Sequence, residues 1–179
     1  GGIATKVGTY GTLTVTTSTG AYTFTPNAAA INALSASTTE SYAVTVSDGT
    51  STTTSNLVIN LTGANDAPVN TVPGAQTVAE DTVLAFSGNT AISVADVDGN
   101  LATTRLTVTN GTLAVTLGTT GATISAGANN SATLTLAGTA AQINAALATL
   151  VYQGTLNFNG SDTLTVVSTD SANPALADT

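Results

Sequence analysis

Apolar and polar residues alternate along most of the chain with a period of two. Leu13 and Val15 alternate with threonines near the start, and Leu113, Val115 and Leu117 keep the same spacing in the second half. Successive side chains of a strand point to opposite faces, so this alternation predicts strands with one apolar and one hydroxyl-bearing face. Asp-Gly and Asn-Gly pairs, which favour tight turns, separate the segments. The pattern predicts an all-β fold of the β-sandwich type.

Two alanine-rich stretches interrupt the alternation and resemble each other. Residues 27–34 read NAAAINAL and residues 140–147 read AAQINAAL, and each suits about two helical turns. Each stretch is followed by an alternating segment that ends in an aspartate, Asp48 in the first half and Asp170 in the second. The chain therefore contains an internal repeat.

The repeat divides the chain into two predicted modules. The first covers residues 1–62 and the second covers residues 69–179. Residues 63–68, GANDAP, form the predicted linker, which is stiff because Pro68 restricts the residue before it to extended geometry. Since the chain does not begin with methionine, we expect it to be a processed product or a part of something longer.

Composition excludes several classes of function. The chain has no cysteine and no histidine, which rules out thiolate zinc sites and acyl-transfer triads, and we predict that it is not an enzyme. Lys6 and Arg105 are the only basic residues against ten acidic ones, for a net charge of −8. This balance argues against nucleic-acid binding and against anionic membranes, and no apolar run is long enough to insert into a bilayer.

Several motifs resemble known repeats. Residues 44–49 (VTVSDG), the strand at 57–61 and the Asn-Asp-Ala-Pro at 65–68 resemble the end of a cadherin-type repeat. Residues 8–49 resemble the VCBS-type repeats of giant bacterial adhesins, and the second half, with Asp-Val-Asp at 96–98, is similar to cadherin-like repeats of the same secreted proteins. The resemblance implies tandem Ig/cadherin-like β-sandwich modules, of which the first lacks its first strands and the second its last.

The resemblance also implies calcium where two modules meet, because calcium takes six to eight oxygen ligands. It places the candidate junction ligands at Glu40, Asn65, Asp66, Asp96, Asp98 and Asp170, and weaker candidates at Asp48, Glu80 and Asp162. If the Asp-Val-Asp segment is extended, both of its carboxylates face one side. Ordinary turn chemistry is the alternative for Asp48, Asp98 and Asp162, and an exposed strand start is the alternative for Glu80.

The function implied by the resemblance is structural. We expect a non-catalytic repeat of a large bacterial adhesin or matrix protein, extracellular or at the cell surface, that acts as a calcium-stiffened spacer in cell adhesion or biofilm. Its partners would be neighbouring repeats or other copies of itself. One alternative is a self-assembling filament or sheath subunit in which copies donate strands to each other. The other is a carbohydrate- or protein-binding sandwich, which would require a concave patch with two exposed tyrosines.

Overall fold

Antiparallel strands dominate the computed structural model, which describes residues 2–172 and 175–179. The predicted all-β fold is confirmed. The chain divides into two compact units, Gly1–Asn65 and Asp66–Thr179. The boundary between the units falls inside the segment 63–68 that the sequence marks as a linker. That each module lacks strands stays a prediction.

The first unit contains a three-stranded sheet, one short helix and a long hairpin. Its elements are β1 (Ile3–Val7), β2 (Gly11–Thr16), β3 (Tyr22–Pro26), α1 (Ala28–Asn32), β4 (Thr38–Ser47) and β5 (Thr52–Leu61). The sheet has the order β1-β2-β3, and β4 pairs with β5 over ten residues. The buried apolar side chains of this unit are Leu13, Tyr42 and Leu61, so its core is small.

The second unit has more elements. These are β6 (Val69–Thr71), β7 (Val83–Ala85), a 3₁₀ turn (Gly88–Thr90), β8 (Ser93–Ala95), β9 (Leu101–Thr107), β10 (Gly111–Ala114), β11 (Thr123–Gly127), β12 (Thr133–Ala137), α2 (Ala140–Leu147), β13 (Val151–Gly154), β14 (Thr165–Asp170) and β15 (Ala177–Asp178). A five-stranded sheet has the order β11-β12-β9-β14-β15. A three-stranded sheet has the order β10-β13-β7, and β6 pairs with β8.

Both alanine-rich stretches are helical, but only the second contributes buried side chains. Thr139 and Gln142 form a capping box at the start of α2, which satisfies free backbone amides at that end. Ile143, Ala146 and Leu147 then follow at helical spacing and are fully buried. They join the core cluster of this unit with apolar residues from both larger sheets.

Candidate metal centre

An acidic loop follows β8 in the second unit. Asp96 Oδ1 accepts hydrogen bonds from the amides of Asp98 and Gly99, each at 3.0 Å, and Gly99 has a φ of +69°. The Asp-Val-Asp segment is therefore bent, and the extended geometry considered from the sequence is not present. The reason is that a short aspartate side chain readily bonds to backbone amides just ahead of it and turns the chain.

Each carboxylate of this loop uses one oxygen to hold the backbone. Asp96 uses Oδ1 as described, and Asp98 Oδ2 accepts the amide of Asp66 at 2.6 Å. The other two oxygens, Asp96 Oδ2 and Asp98 Oδ1, are buried and accept no hydrogen bond from the described chain. Burying a carboxylate oxygen without a partner costs free energy. Hard cations bind carboxylate oxygens, so a hard cation would supply both oxygens with the partner that they lack.

The acidic loop offers only a small number of carboxylates to a cation. Among the described residues, no three acidic side chains are grouped so that they could hold one metal ion. A cation at the loop would therefore have two carboxylates, with main-chain, amide or water oxygens completing its shell. A site of this composition is a weak one, because affinity rises with the number of charged ligands.

The six predicted junction ligands are divided between the two units. Glu40 and Asn65 belong to the first unit, whereas Asp66, Asp96, Asp98 and Asp170 belong to the second. The junction site that combines all six stays a prediction. Asp170 is 2% exposed, and its Oδ1 accepts the amides of Ala172 and Leu176, each at 3.0 Å. It closes the connection between β14 and β15.

Glu40, in β4, binds the turn between β1 and β2 of the same unit. Its oxygens accept the amides of Thr9 and Tyr10 and, at 2.7 Å, the hydroxyl of Tyr42. Burial acts to raise the pKa of Glu40, but the bonds from Tyr42, Tyr10 and Thr9 lower it below its ordinary value. The Tyr42 hydroxyl also donates to the carbonyl of Gly11 at 3.0 Å.

The second unit repeats this arrangement with Asp162. Its carboxylate accepts the amides of Thr109 and Asn110, at 3.1 and 2.8 Å, and the hydroxyl of Tyr152 at 3.0 Å. Burial opposes ionisation, yet these bonds and the Thr163 amide lower the pKa of Asp162. We call each set of carboxylate, tyrosine and turn a tyrosine–carboxylate clasp. In both units it fixes the turn before a strand that carries a buried leucine, Leu13 in β2 and Leu113 in β10.

The clasp was not anticipated from the sequence, although a signal exists. Residues 9–13 read TYGTL and residues 109–113 read TNGTL, and each segment contains the clasped turn and the first residues of the strand after it. Gly11 and Gly111 occupy the same place in the two segments. A Cβ on Gly11 would overlap the Phe24 ring and lie 2.6 Å from the carbonyl oxygen of Thr25, and one on Gly111 would overlap the Tyr152 ring and lie 2.6 Å from the carbonyl oxygen of Gln153. Both positions therefore require glycine.

The remaining weaker candidates lie at turns or on the surface. Asp48 Oδ1 accepts the amides of Thr50 and Ser51, and the bonds from Ser51 and Thr50 lower the pKa of Asp48. Turn chemistry thus accounts for its position. Glu80 is exposed, and its neighbour Asp81 accepts the amide of Asn157 at 2.8 Å.

Among the described residues, no helix has the length and hydropathy needed to cross a membrane.

Residues 86–176, just over half of the chain, match the family described as the Protein GAMETE EXPRESSED 2 domain. The chain belongs to this family. The matched span lies within the second unit and contains the acidic loop, α2 and the clasp of Asp162. No curated protein and no solved structure matches the chain.

The family corrects the identification made from motifs. Membership of the Gamete Expressed 2 domain family contradicts the resemblance to cadherin-like and VCBS-type repeats, and the predicted bacterial adhesin or matrix spacer with a role in biofilm is wrong. The motifs misled because Asp-Gly turns and an Asn-Asp-x-Pro segment reflect turn and linker chemistry that many β proteins share. The filament or sheath alternative, in which copies donate strands to each other, stays a prediction.

The carbohydrate-binding alternative requires two exposed tyrosines in one patch, and the exposure of the tyrosines does not fit this requirement. Tyr42 and Tyr152 are 4% and 9% exposed, whereas Tyr22 is 58% exposed. The two buried rings belong to the clasps, where their hydroxyls bond to carboxylates and backbone carbonyls.

Proposed function

We propose that this chain is a non-catalytic, extracellular structural domain of the Gamete Expressed 2 family whose second unit binds one calcium ion at the acidic loop after β8. The observation that carries the proposal is the pair of buried carboxylate oxygens, Asp96 Oδ2 and Asp98 Oδ1, that have no hydrogen-bond donor in the described chain. A bound cation would supply both with a partner and would offset the repulsion between the two charges.

The ligand chemistry favours calcium over other metals. Softer metals prefer imidazole or thiolate ligands, and the chain contains neither histidine nor cysteine. Magnesium demands near-ideal octahedral geometry, whereas calcium tolerates irregular sets of oxygens. Asp98 also bonds to the amide of Asp66, the first residue of the second unit. The ion would thus hold the acidic loop and the start of this unit in one conformation.

The weakness of the site supports an extracellular location. Sites with few charged ligands bind calcium with dissociation constants of about 0.1 to 1 mM, the range of extracellular modules. Such a site would fill outside the cell, where calcium is plentiful, and would stay empty in a calcium-poor compartment. The absence of histidine and cysteine, and the engagement of Glu40, Asp48 and Asp162 in turns and clasps, support a role without catalysis.

Calorimetric titration and thermal unfolding with calcium or with excess chelator test this proposal. For a dissociation constant of about 1 mM, about 10 mM calcium should stabilise the second unit by about 1.4 kcal/mol. This free energy corresponds to a rise of about 5 °C in its unfolding midpoint. Asp96→Asn with Asp98→Asn should abolish the heat of binding and the shift.

Asp48→Asn in the first unit is the matched control. It makes one such aspartate-to-asparagine change in a turn where both amide bonds are already accounted for, so calcium should still raise the midpoint. Wild-type protein that gives neither heat nor a shift would contradict the calcium site.

A further inference from the structure

Several asparagines of the chain begin an Asn-x-Ser/Thr triplet in which x is not proline. Such a triplet is the acceptor sequence for an N-linked glycan in secreted proteins, and the family of this chain is one of eukaryotic gamete proteins. A chain rich in serine and threonine contains such triplets by chance, so the triplet alone is a weak signal and its place in the fold has to decide. The asparagines concerned are Asn60, Asn110, Asn129 and Asn159.

The fold gives two of these asparagines a structural role. Asn129 Oδ1 accepts the amide of Val115, and its Nδ2 donates to the carbonyl of the same residue, both at 2.9 Å. A sugar on Nδ2 would take the place of a hydrogen on the atom that makes the second bond. Asn110 is half-buried in the clasped turn, where its amide donates to Asp162 and its carbonyl accepts the Tyr152 hydroxyl. A bulky glycan would compete with both arrangements.

Asn159 is exposed but has charged neighbours. It lines one groove of the second unit together with Glu80, Asp81 and Asp162. Ionised carboxylates keep a surface hydrated, so this part of the second unit does not need a glycan for that purpose.

Asn60 lies on the outer face of the long hairpin in the first unit. It is exposed and stands opposite Thr39 in the ladder between β4 and β5. The next residue, Leu61, is 7% exposed and points to the other face, because successive side chains of a strand alternate. That inner face packs on the three-stranded sheet, where the Tyr42 hydroxyl bonds to Gly11. The side chain of Asn60 therefore points away from the core of this unit.

The outer face of this hairpin carries no charged side chain. The charged residues of the first unit are Lys6, Glu40 and Asp48, whereas about a quarter of the residues in an ordinary domain are charged. A flat strand surface with low charge tends to associate with other copies. The outer face is exposed along its whole length and consists of Thr39, Ser41, Ala43, Thr45, Ser47, Thr52, Thr54, Asn56, Val58 and Asn60.

We infer that Asn60 carries an N-linked glycan, which covers the outer face of β4 and β5. The inference rests on the proposed extracellular location, since this glycan is attached on the secretory route. The donor is an oligosaccharide linked through pyrophosphate to a lipid. Nδ2 of Asn60 forms a bond to C1 of the first sugar, the bond from C1 to the pyrophosphate oxygen breaks, and Nδ2 loses one proton. The glycan gives this face the hydration that charges provide on other surfaces.

The test uses the full chain, secreted from cultured eukaryotic cells behind an added signal sequence. Peptide N-glycosidase in ¹⁸O-labelled water should label position 60 with heavy oxygen, because the enzyme converts a glycan-bearing asparagine to aspartate. Thr62→Ser keeps the triplet and should keep the label, whereas Thr62→Ala and Asn60→Gln should lose it. Asn56→Gln is the matched control, since Asn56 lies on the same face of β5 outside any triplet, and it should leave the label in place.

Self-association tests the role of the glycan. Enzymatic removal of the glycan from the folded chain should reduce the monomer fraction in sedimentation experiments at high protein concentration. Val58→Lys places a charge on the same face, where Val58 is 50% exposed, and should restore the monomer in the chain without its glycan.

The outcomes separate this inference from the proposed calcium site. A secreted, folded chain without label at Asn60, or with label only at the other triplets, would overturn the inference whatever the calcium titration shows. A chain labelled at Asn60 that binds no calcium would support the glycan and contradict the calcium site alone. A glycan-bearing chain that still dimerises, and becomes monomeric with Val58→Lys, would assign the face to a second copy instead.

Discussion

At the scale of single residues, the two clasps show how a few hydrogen bonds fix a turn in each unit. The single hydroxyl proton of Tyr42, and likewise that of Tyr152, is shared between a carboxylate and a backbone carbonyl. Burial, together with the bonded and charged carboxylate, raises the pKa of each phenol to about 12. The clasp therefore requires a neutral phenol beside an ionised acid.

The clasp predicts a loss of stability at alkaline pH. In the folded state Tyr152 keeps its proton up to a pH of about 12, whereas its ordinary pKa is 10.0. Between these values the unfolded chain binds fewer protons, so stability falls as the pH rises through this window. Urea unfolding from pH 9 to pH 12 should show the fall, and Tyr152→Phe should reduce it while costing about 1 kcal/mol near neutral pH.

Tyr22→Phe, which changes an exposed ring in the first unit, is the control and should keep the wild-type profile. If Tyr152→Phe had the same alkaline profile as the wild type, the clasp would not contribute to the pH dependence.

At the scale of elements, the side chain of Asn144 in α2 binds the backbone of β8 in place of a neighbouring strand. Asn144 accepts the amide of Val94 at 2.8 Å and donates to its carbonyl at 2.9 Å. Asn129 binds the backbone of Val115 in the same way, with both bonds at 2.9 Å. An amide side chain has both a donor and an acceptor, so it can replace a strand partner where a helix or loop adjoins an edge.

Asn144→Ala should therefore destabilise the second unit. It leaves the amide and carbonyl of Val94 without their partners, which costs about 2 kcal/mol when the groups are partly buried. The measurement is the free energy of unfolding in urea. Asn32 occupies the corresponding place in the repeated Ile-Asn-Ala sequence of α1 and is exposed. Asn32→Ala should change stability by less than about 0.5 kcal/mol, and equal effects of the two substitutions would contradict this role of Asn144.

Local pattern was enough to predict strands such as β2 and β5, both helices and the turn at Asp48, because each depends on neighbours in sequence. The alternation at Val115 and Leu117 did not extend the strand, since β10 ends at Ala114. The clasps could not be derived in this way, since Asp162 bonds to a turn more than fifty residues away. The bend at Asp96 forms because its side chain accepts a backbone amide of its own loop. The segment is therefore not extended. The family was misjudged for a related reason, because short turn motifs carry little information about the whole fold.

At the scale of the whole molecule, the two units differ in how much they bury. The core cluster of the second unit contains seventeen buried residues, whereas the buried apolar residues of the first are Leu13, Tyr42 and Leu61. Apolar burial is the main favourable term in folding. The first unit should therefore be the less stable one, and heating the full chain should give two transitions, the lower of which belongs to it.

Two repeat-matched substitutions assign the transitions. Leu13 and Leu113 follow the clasped turn at the same place in TYGTL and TNGTL, and they are 3% and 0% exposed. Each change to alanine removes a buried leucine and should cost about 2 to 5 kcal/mol in its own unit. By calorimetry Leu13→Ala should lower only the first midpoint, and Leu113→Ala only the second. If either substitution moved both transitions together, the units would unfold as one cooperative body, and burial within each unit would not determine the order of melting.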